Sequence, residues 1–191
     1  HGTVTVMLQH VGYEVTTYRI DGEYEDSRHP KEVTFTDNLL EDLKRRDFTI
    51  NAMAYNDDSG LVDAFDGAKD LRDGVIRCVG NAHDRFEEDA LRMLRAVRFA
   101  AQLGFSIEEK TRGAVRDLAG TIAKVSAERI QMELVKLLTS DHPDELRMAW
   151  ELGLTKVFLP EFDRMMQTPQ NNKHHSYSVG EHTLHTLTDV P

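Results

Sequence analysis

An α+β fold is predicted by three features of the 191-residue sequence. Residues 3–8 and 13–20 are rich in β-branched and aromatic side chains, with Gly12 in the short connection between them, which reads as a hairpin. Asp57-Asp58-Ser59-Gly60 is a turn signal between further short apolar runs. From Asp84 onward, apolar residues recur at helical spacing, punctuated by capping residues. A boundary between a mixed α/β part and an all-α part therefore falls near residue 82.

The elements follow in order. Residues 21–36, with Arg28-His29-Pro30, read as a loop. Asn38 and Glu41 form a variant capping box for a short helix through about Lys44. Residues 48–56 read as a helix-to-strand passage, residues 61–65 and 75–79 as strands, and Lys69–Arg72 as a helical turn. Asp84 caps a helix that runs to Gly104, with Leu91, Leu94, Val97 and Ala101 as its core stripe. Ser106 with Glu109 opens a second helix to about Ala119, and Ser126 a third to about Leu138. Pro143 occupies the first turn of a fourth.

The chain is 29% charged and 40% hydrophobic, ordinary for a globular protein. A net charge of −10 argues against a protein that coats nucleic acid generally, and leaves room for a local basic groove. The single cysteine, Cys78, excludes an intramolecular disulfide framework and fits a reducing compartment. With no membrane-length apolar run and no signal peptide, a cytoplasmic protein is expected. The sequence opens inside a strand-like alternation without Met and stops after a His-rich segment, which reads as a piece of a longer protein.

Residues 85–99, Arg-Phe-Glu-Glu-Asp-Ala-Leu-Arg-Met-Leu-Arg-Ala-Val-Arg-Phe, carry the densest functional signal. On a continuous helix Asp89 and Arg92 are surface neighbours. A carboxylate offers acceptors and a guanidinium donors, so the pair can read the mixed edge of a nucleobase. Arg95 and Arg98 continue the ridge and suit a phosphate chain. The alternative is a solvated ion-pair face, since Glu88 and Arg92 have the favoured i,i+4 order.

Arg45-Arg46-Asp47-Phe48-Thr49-Ile50-Asn51-Ala52-Met53-Ala54 is a second constellation. Arg46 can hold a phosphate, and Asp47 or Asn51 ribose hydroxyls. Equally, the arginines can cap a helix C-terminus and Asp47 can cap the next element. Asp63-Ala64-Phe65-Asp66-Gly67-Ala68-Lys69-Asp70-Leu71 favours a structural role. Glu14 is a carboxylate inside a strand, where acids are depleted. It is either a surface acid or a Mg²⁺ ligand. His174, His175, His182 and His185 lie close together, as either a metal-binding group or a polar connection between helices.

Together these motifs resemble the class II CCA-adding enzymes (tRNA nucleotidyltransferases) and the bacterial poly(A) polymerases. Arg45–Ala54 is similar to the family's RRDFTINAMA signature without a break. Asp63–Leu71 is similar to its D-x-F-x-G-x-x-D-L motif, Glu88–Arg92 to its E-D-x-x-R motif, and Ala127–Leu134 to its A-E-R-I-x-x-E-L stretch. The resemblance implies the C-terminal portion of a palm-like nucleotidyltransferase head with a mixed sheet over residues 1–82. An all-α nucleotide-selecting neck over 83–140 and a helical segment leading into a truncated HD-like domain over 141–191 would follow.

The resemblance further implies CTP and ATP as substrates, tRNA as partner and Mg²⁺ as cofactor. Glu14 matches a third metal carboxylate, Arg46 a nucleotide contact, and Asp47 and Asn51 the ribose position. Asp89 and Arg92 match the base-reading pair, Glu88 orients Arg92, and Arg95 and Arg98 match further nucleotide contacts. His182 matches the first metal ligand of an HD domain. The family's Gly-Gly-x-Val-Arg-Asp loop and Asp-x-Asp pair do not occur in the sequence, so these residues alone are expected to be inactive in two-metal nucleotidyl transfer. The alternatives are a poly(A) polymerase, an HD-type metal-dependent phosphohydrolase, and a non-catalytic RNA- or nucleotide-binding module.

Overall fold

The computed structural model describes residues 2–22, 33–170 and 177–189. The Arg28-His29-Pro30 loop and His174 and His175 lie outside the described residues. β1 (Thr3–Leu8) and β2 (Val11–Thr16) form an antiparallel hairpin, in register from Thr3 opposite Thr16 to Leu8 opposite Val11. Its turn is Gln9-His10, with φ of 49° and 68°. Two left-handed residues match the right-handed twist of the paired strands. Gly12 is therefore a strand residue opposite Met7, not the turn.

The expected second strand is also divided. After β2 the chain pairs β3 (Arg19–Asp21) with β4 (Val33–Phe35), so part of the expected loop is strand. α1 (Leu39–Lys44) starts as expected at Asn38, whose side chain accepts a hydrogen bond from Leu40 N at 3.0 Å. A 3₁₀ turn at Thr49–Asn51 leads into β5 (Met53–Asn56), antiparallel to β6 (Gly60–Asp63).

α2 (Gly67–Asp73) is positioned by Asp63, whose carboxylate accepts from Gly67 N and Ala68 N at 2.7 and 2.9 Å. The left-handed residue is Asp66, φ 60°; Gly67 is needed for space instead. A Cβ there would sit 2.2 Å from Thr49 O. β7 (Val75–Ile76) pairs in parallel with β8 (Ser106–Ile107), so Ser106 is a strand residue rather than a cap.

The helical part differs from expectation at one decisive point. The single helix expected from Asp84 to Gly104 is two: α3 (Ala82–Glu88), capped by Asn81, and α4 (Leu91–Leu103). Asp89 breaks it, extended at φ −147° and ψ 102°. Gly104 closes α4 in the left-handed conformation, φ 65°. α5 (Glu109–Leu118) is capped by Glu108, which accepts from Thr111 N at 2.7 Å. A 3₁₀ segment, Ala119–Lys124, leads to α6 (Ala127–Leu138). The Pro143–Glu145 turn precedes α7 (Leu146–Glu151), α8 (Thr155–Phe158), α9 (Pro160–Gln167) and α10 (Val179–Thr188).

α4 is the central strut. Leu91, Met93, Leu94, Ala96, Val97, Ala100 and Ala101 are all buried. They belong to one core that includes Phe48, Ile76 and Cys78 before residue 82, and Leu137, Leu154 and Leu184 after it. Burial pushes the Cys78 thiol up to about 12, so it stays neutral. Among the described residues no helix is long and apolar enough to cross a membrane.

Two glycines separate space from flexibility. Gly67→Ala is expected to destabilise the fold, because its methyl group meets backbone. Gly113→Ala, within α5 and facing open space, is expected to stabilise it by about 0.5–1 kcal/mol. Urea unfolding of both variants measures the difference; an equal effect would contradict the packing described for Gly67.

Candidate nucleotide-binding site

The break after α3 places the motif residues around one cleft. Because Asp89 leaves helical geometry, its carboxylate turns to the first turn of α4 and accepts from Leu91 N at 3.1 Å. The same carboxylate receives Arg129 of α6, Nη2 at 2.7 Å and Nη1 at 3.3 Å. Asp89 and Arg92 are thus brought together by a helix start, not by one helical ridge. A cleft of about 260 Å³ is lined by Arg45, Arg46, Asp47, Asp89, Leu91, Arg92, Arg95 and Arg129. Five arginines and two aspartates line it, Asp42 and Glu88 bond three of the arginines from outside the lining, and the more exposed guanidinium groups, Arg46 and Arg95, suit an anionic group.

Arg92 is held from three sides. Glu88 Oε2 lies 2.5 Å from its Nη1, and the Arg85 carbonyl accepts from Nη1 at 3.1 Å. The Arg45 carbonyl accepts from Nη2 at 3.2 Å. Glu88 is therefore placed to orient Arg92, and it also pairs with Arg85.

Asp47 joins the turn after α1 to α4. Oδ2 accepts from Arg95 Nε and Nη2 at 2.9 and 2.6 Å. Oδ1 accepts from Phe48 N at 2.9 Å and from Asn51 Nδ2 at 3.1 Å. All four acceptor positions of the carboxylate are filled, which leaves none for a ribose hydroxyl in this arrangement. Burial works against the charge of Asp47, but Arg95 and the donors from Asn51 and Phe48 outweigh it and hold the carboxyl below its usual range. Asn51 is exposed and does not line the cleft. Arg46, with a side chain 44% exposed, reaches the cleft from a contact with Asp42 Oδ2 at 3.0 Å.

Besides Asn51, three expected site residues are placed elsewhere. Arg98 is turned into the core: Nε donates to Glu133 at 2.9 Å, Nη1 to Gln102 at 2.7 Å, and its guanidinium lies 3.6 Å from the Phe99 ring centroid. The ridge expected to carry Arg95 and Arg98 together rotates away from the cleft between them. Glu14 is an exposed residue of the β1–β2 hairpin opposite Thr5 and does not line the cleft. His182 is exposed on α10. Among the described residues no group of three or more His, Cys, Asp or Glu is placed to hold a metal. Glu14 by itself does not supply the oxygen set that Mg²⁺ requires.

Arg129 lines the cleft and Glu133 holds Arg98 in the core, and neither contact follows from local spacing. Their i,i+4 spacing on α6 puts them on one face, where Arg129 meets Asp89 and Glu133 meets Arg98. The A-E-R-I-Q-M-E-L stretch was the available signal; the partners are 40 and 35 residues away in sequence.

The ion pairs set an acid limit on the fold. A carboxyl held below its unfolded pKa stabilises the fold above that value and loses the contribution as pH falls through the folded pKa. For Asp47, stability is expected to fall below about pH 4, near the ordinary Asp pKa. Asp47→Asn is expected to lower stability at neutral pH and to flatten this acid limb. Urea unfolding between pH 3 and 7 checks both; an unchanged limb would contradict the role given to Asp47.

Known families and relatives match the chain on both sides of this cleft. The family described as Poly A polymerase head domain matches residues 1–77. A second, described as Probable RNA and SrmB-binding site of polymerase A, matches residues 104–166. A CCA-adding enzyme of Leuconostoc mesenteroides is 56% identical over 138 residues, covering 72% of this chain and 34% of its own length. The chain thus spans about a third of that relative. Among solved structures, the Bacillus stearothermophilus CCA-adding enzyme in complex with CTP matches with TM-score 0.73 and 44% identity, over 81% of this chain and 37% of that one. The Thermotoga maritima CCA-adding enzyme complexed with tRNA matches with TM-score 0.65 and 28% identity, over 86% and 39%. With two family matches on either side of the α3–α4 corner and these relatives, the chain belongs to the family of CCA-adding enzymes and poly(A) polymerases.

Proposed function

We propose that this chain is the nucleotide-selecting part of a cytoplasmic tRNA nucleotidyltransferase that adds CCA to tRNA 3′ ends from CTP and ATP. The observation that carries the reading is the cleft in which Asp89 and Arg92 stand side by side among five arginines. In this reading Asp89 and Arg92 present acceptor and donor to the base edge. Three of the four acceptor positions on Asp89 are used, so one remains for an amino group of cytosine or adenine. Arg46 and Arg95 are the more exposed cations and face the phosphates. Asp47 positions Arg95, and Glu88 positions Arg92.

Selection then rests on side chains held in place before the nucleotide arrives, which keeps the ordering cost of binding low. The relatives solved with CTP and with tRNA support the choice of substrates. Any Mg²⁺ used in nucleotidyl transfer would be held by residues other than these, since no group among the described residues is placed to hold a metal, and it would supply charge neutralisation at the triphosphate. The described residues supply base and phosphate recognition to that reaction. Arg98 takes no part in nucleotide contact in this reading. The domain reading also stands as a proposal: head over 1–82, selecting neck over 83–140, and a helical continuation over 141–191.

Arg92→Ala is expected to weaken both CTP and ATP, at about 1.5–3 kcal/mol for each charged hydrogen bond lost. It should also narrow the preference for CTP over UTP. Titration of the chain with the three nucleotides checks this, and unchanged affinities and preference would remove Arg92 from base reading.

A further inference from the structure

Behind the cleft lies a carboxylate that the nucleotide reading does not use. Asp42, near the end of α1, is 2% exposed. Burial of a charged group this complete is tolerated only with paired and hydrogen-bonded partners. Its partners are unusually many. Oδ1 accepts from Arg45 Nε at 2.9 Å, Arg45 Nη2 at 2.7 Å and Arg19 N at 3.2 Å; Oδ2 accepts from Arg46 Nη2 at 3.0 Å.

Two arginines that line the cleft are thus tied to one buried anchor. Arg46 gives Asp42 one of its five N–H donors, and its half-exposed side chain keeps the others toward solvent and the cleft. Arg45 is gripped more fully, and its backbone carbonyl in turn accepts from Arg92 Nη2. Asp42 therefore sits behind both the phosphate side and the base side of the site. A free Arg side chain has many rotamers, and much of that freedom would be lost on each binding event. An anchor in the unliganded protein removes that loss from binding.

We propose that Asp42 is a positioning residue for nucleotide binding: it holds Arg46, and through Arg45 the Arg92 guanidinium, in the orientation that receives a nucleoside triphosphate. The proposal rests on the nucleotide-binding reading of the cleft. It assigns Asp42 no contact with the nucleotide.

The test is a double-mutant cycle in CTP affinity, measured by calorimetric titration of the 191-residue chain below the melting temperature of every variant. The variants are Asp42→Asn, Arg46→Gln and the pair combined. If Asp42 acts through Arg46 and, by way of Arg45, through Arg92, Asp42→Asn weakens CTP binding about tenfold, and the loss in the double variant is clearly smaller than the two single losses combined. Asp42→Glu, which keeps the charge but shifts it by one methylene, recovers part of the loss. A folded Asp42→Asn that binds CTP within twofold of the wild type overturns the proposal, as do losses that simply add. If Asp42→Asn does not fold, Asp42→Glu takes its place in the cycle under the same two criteria. Wild-type chain that binds neither CTP nor ATP overturns the nucleotide reading itself, an outcome distinct from the failure of Asp42 alone.

Discussion

The Asp47–Arg95 ion pair is the constraint on which the rest of the site depends. It bridges the turn after α1 to the middle of α4, across 48 residues of sequence. A carboxylate this buried is stable only when its acceptor positions are filled, and the sequence around it supplies each donor. Phe48 N and Asn51 come from the following residues, and Arg95 from the strut helix. Removing Arg95 alone would leave Asp47 as a buried charge without its cation. Everything else in the cleft is registered against it.

The second organising feature is the corner between α3 and α4. A straight helix would carry its charges around its axis, spread over several faces. By leaving helical geometry, Asp89 converts a ridge into a pocket wall and satisfies an orphan amide of α4. Arg92 fastens the corner from the other side by accepting no freedom of its own: its guanidinium is tied to the last turn of α3 and to the Arg45 carbonyl. α6 closes the arrangement through Arg129 and Glu133. The corner is thus held by charges that are also the proposed recognition groups.

What the sequence made legible was local. The α1 cap at Asn38, the stop at Gly104, the core stripe of α4 and the motif residues of the cleft all follow from short-range spacing. The mistaken expectations have separate causes. Asn81, itself a capping residue by type, caps α3 ahead of Asp84, whereas Ser106 is drawn into the β7–β8 pairing and leaves Glu108 to cap α5. Gln9-His10 carries no common turn signature, so the expected connection extends through Gly12 and the second strand begins two residues earlier than expected, at Val11. Arg98 looked like its neighbour Arg95 at three-residue spacing. Which of the two faces the core depends on Glu133, far away in sequence, and no local pattern could show that.

The core ignores the boundary near residue 82. Phe48, on the turn that carries Asp47, meets Phe99 of α4 edge to face with centroids 5.7 Å apart. Such interiors pack densely and deform little. The two walls of the cleft are therefore parts of one solid body, and the gap between them behaves as a calibrated slot. The width of the proposed nucleotide slot is therefore set by the packing of that shared core and by side chains already fixed to it, so a change deep in the core would be felt at the cleft.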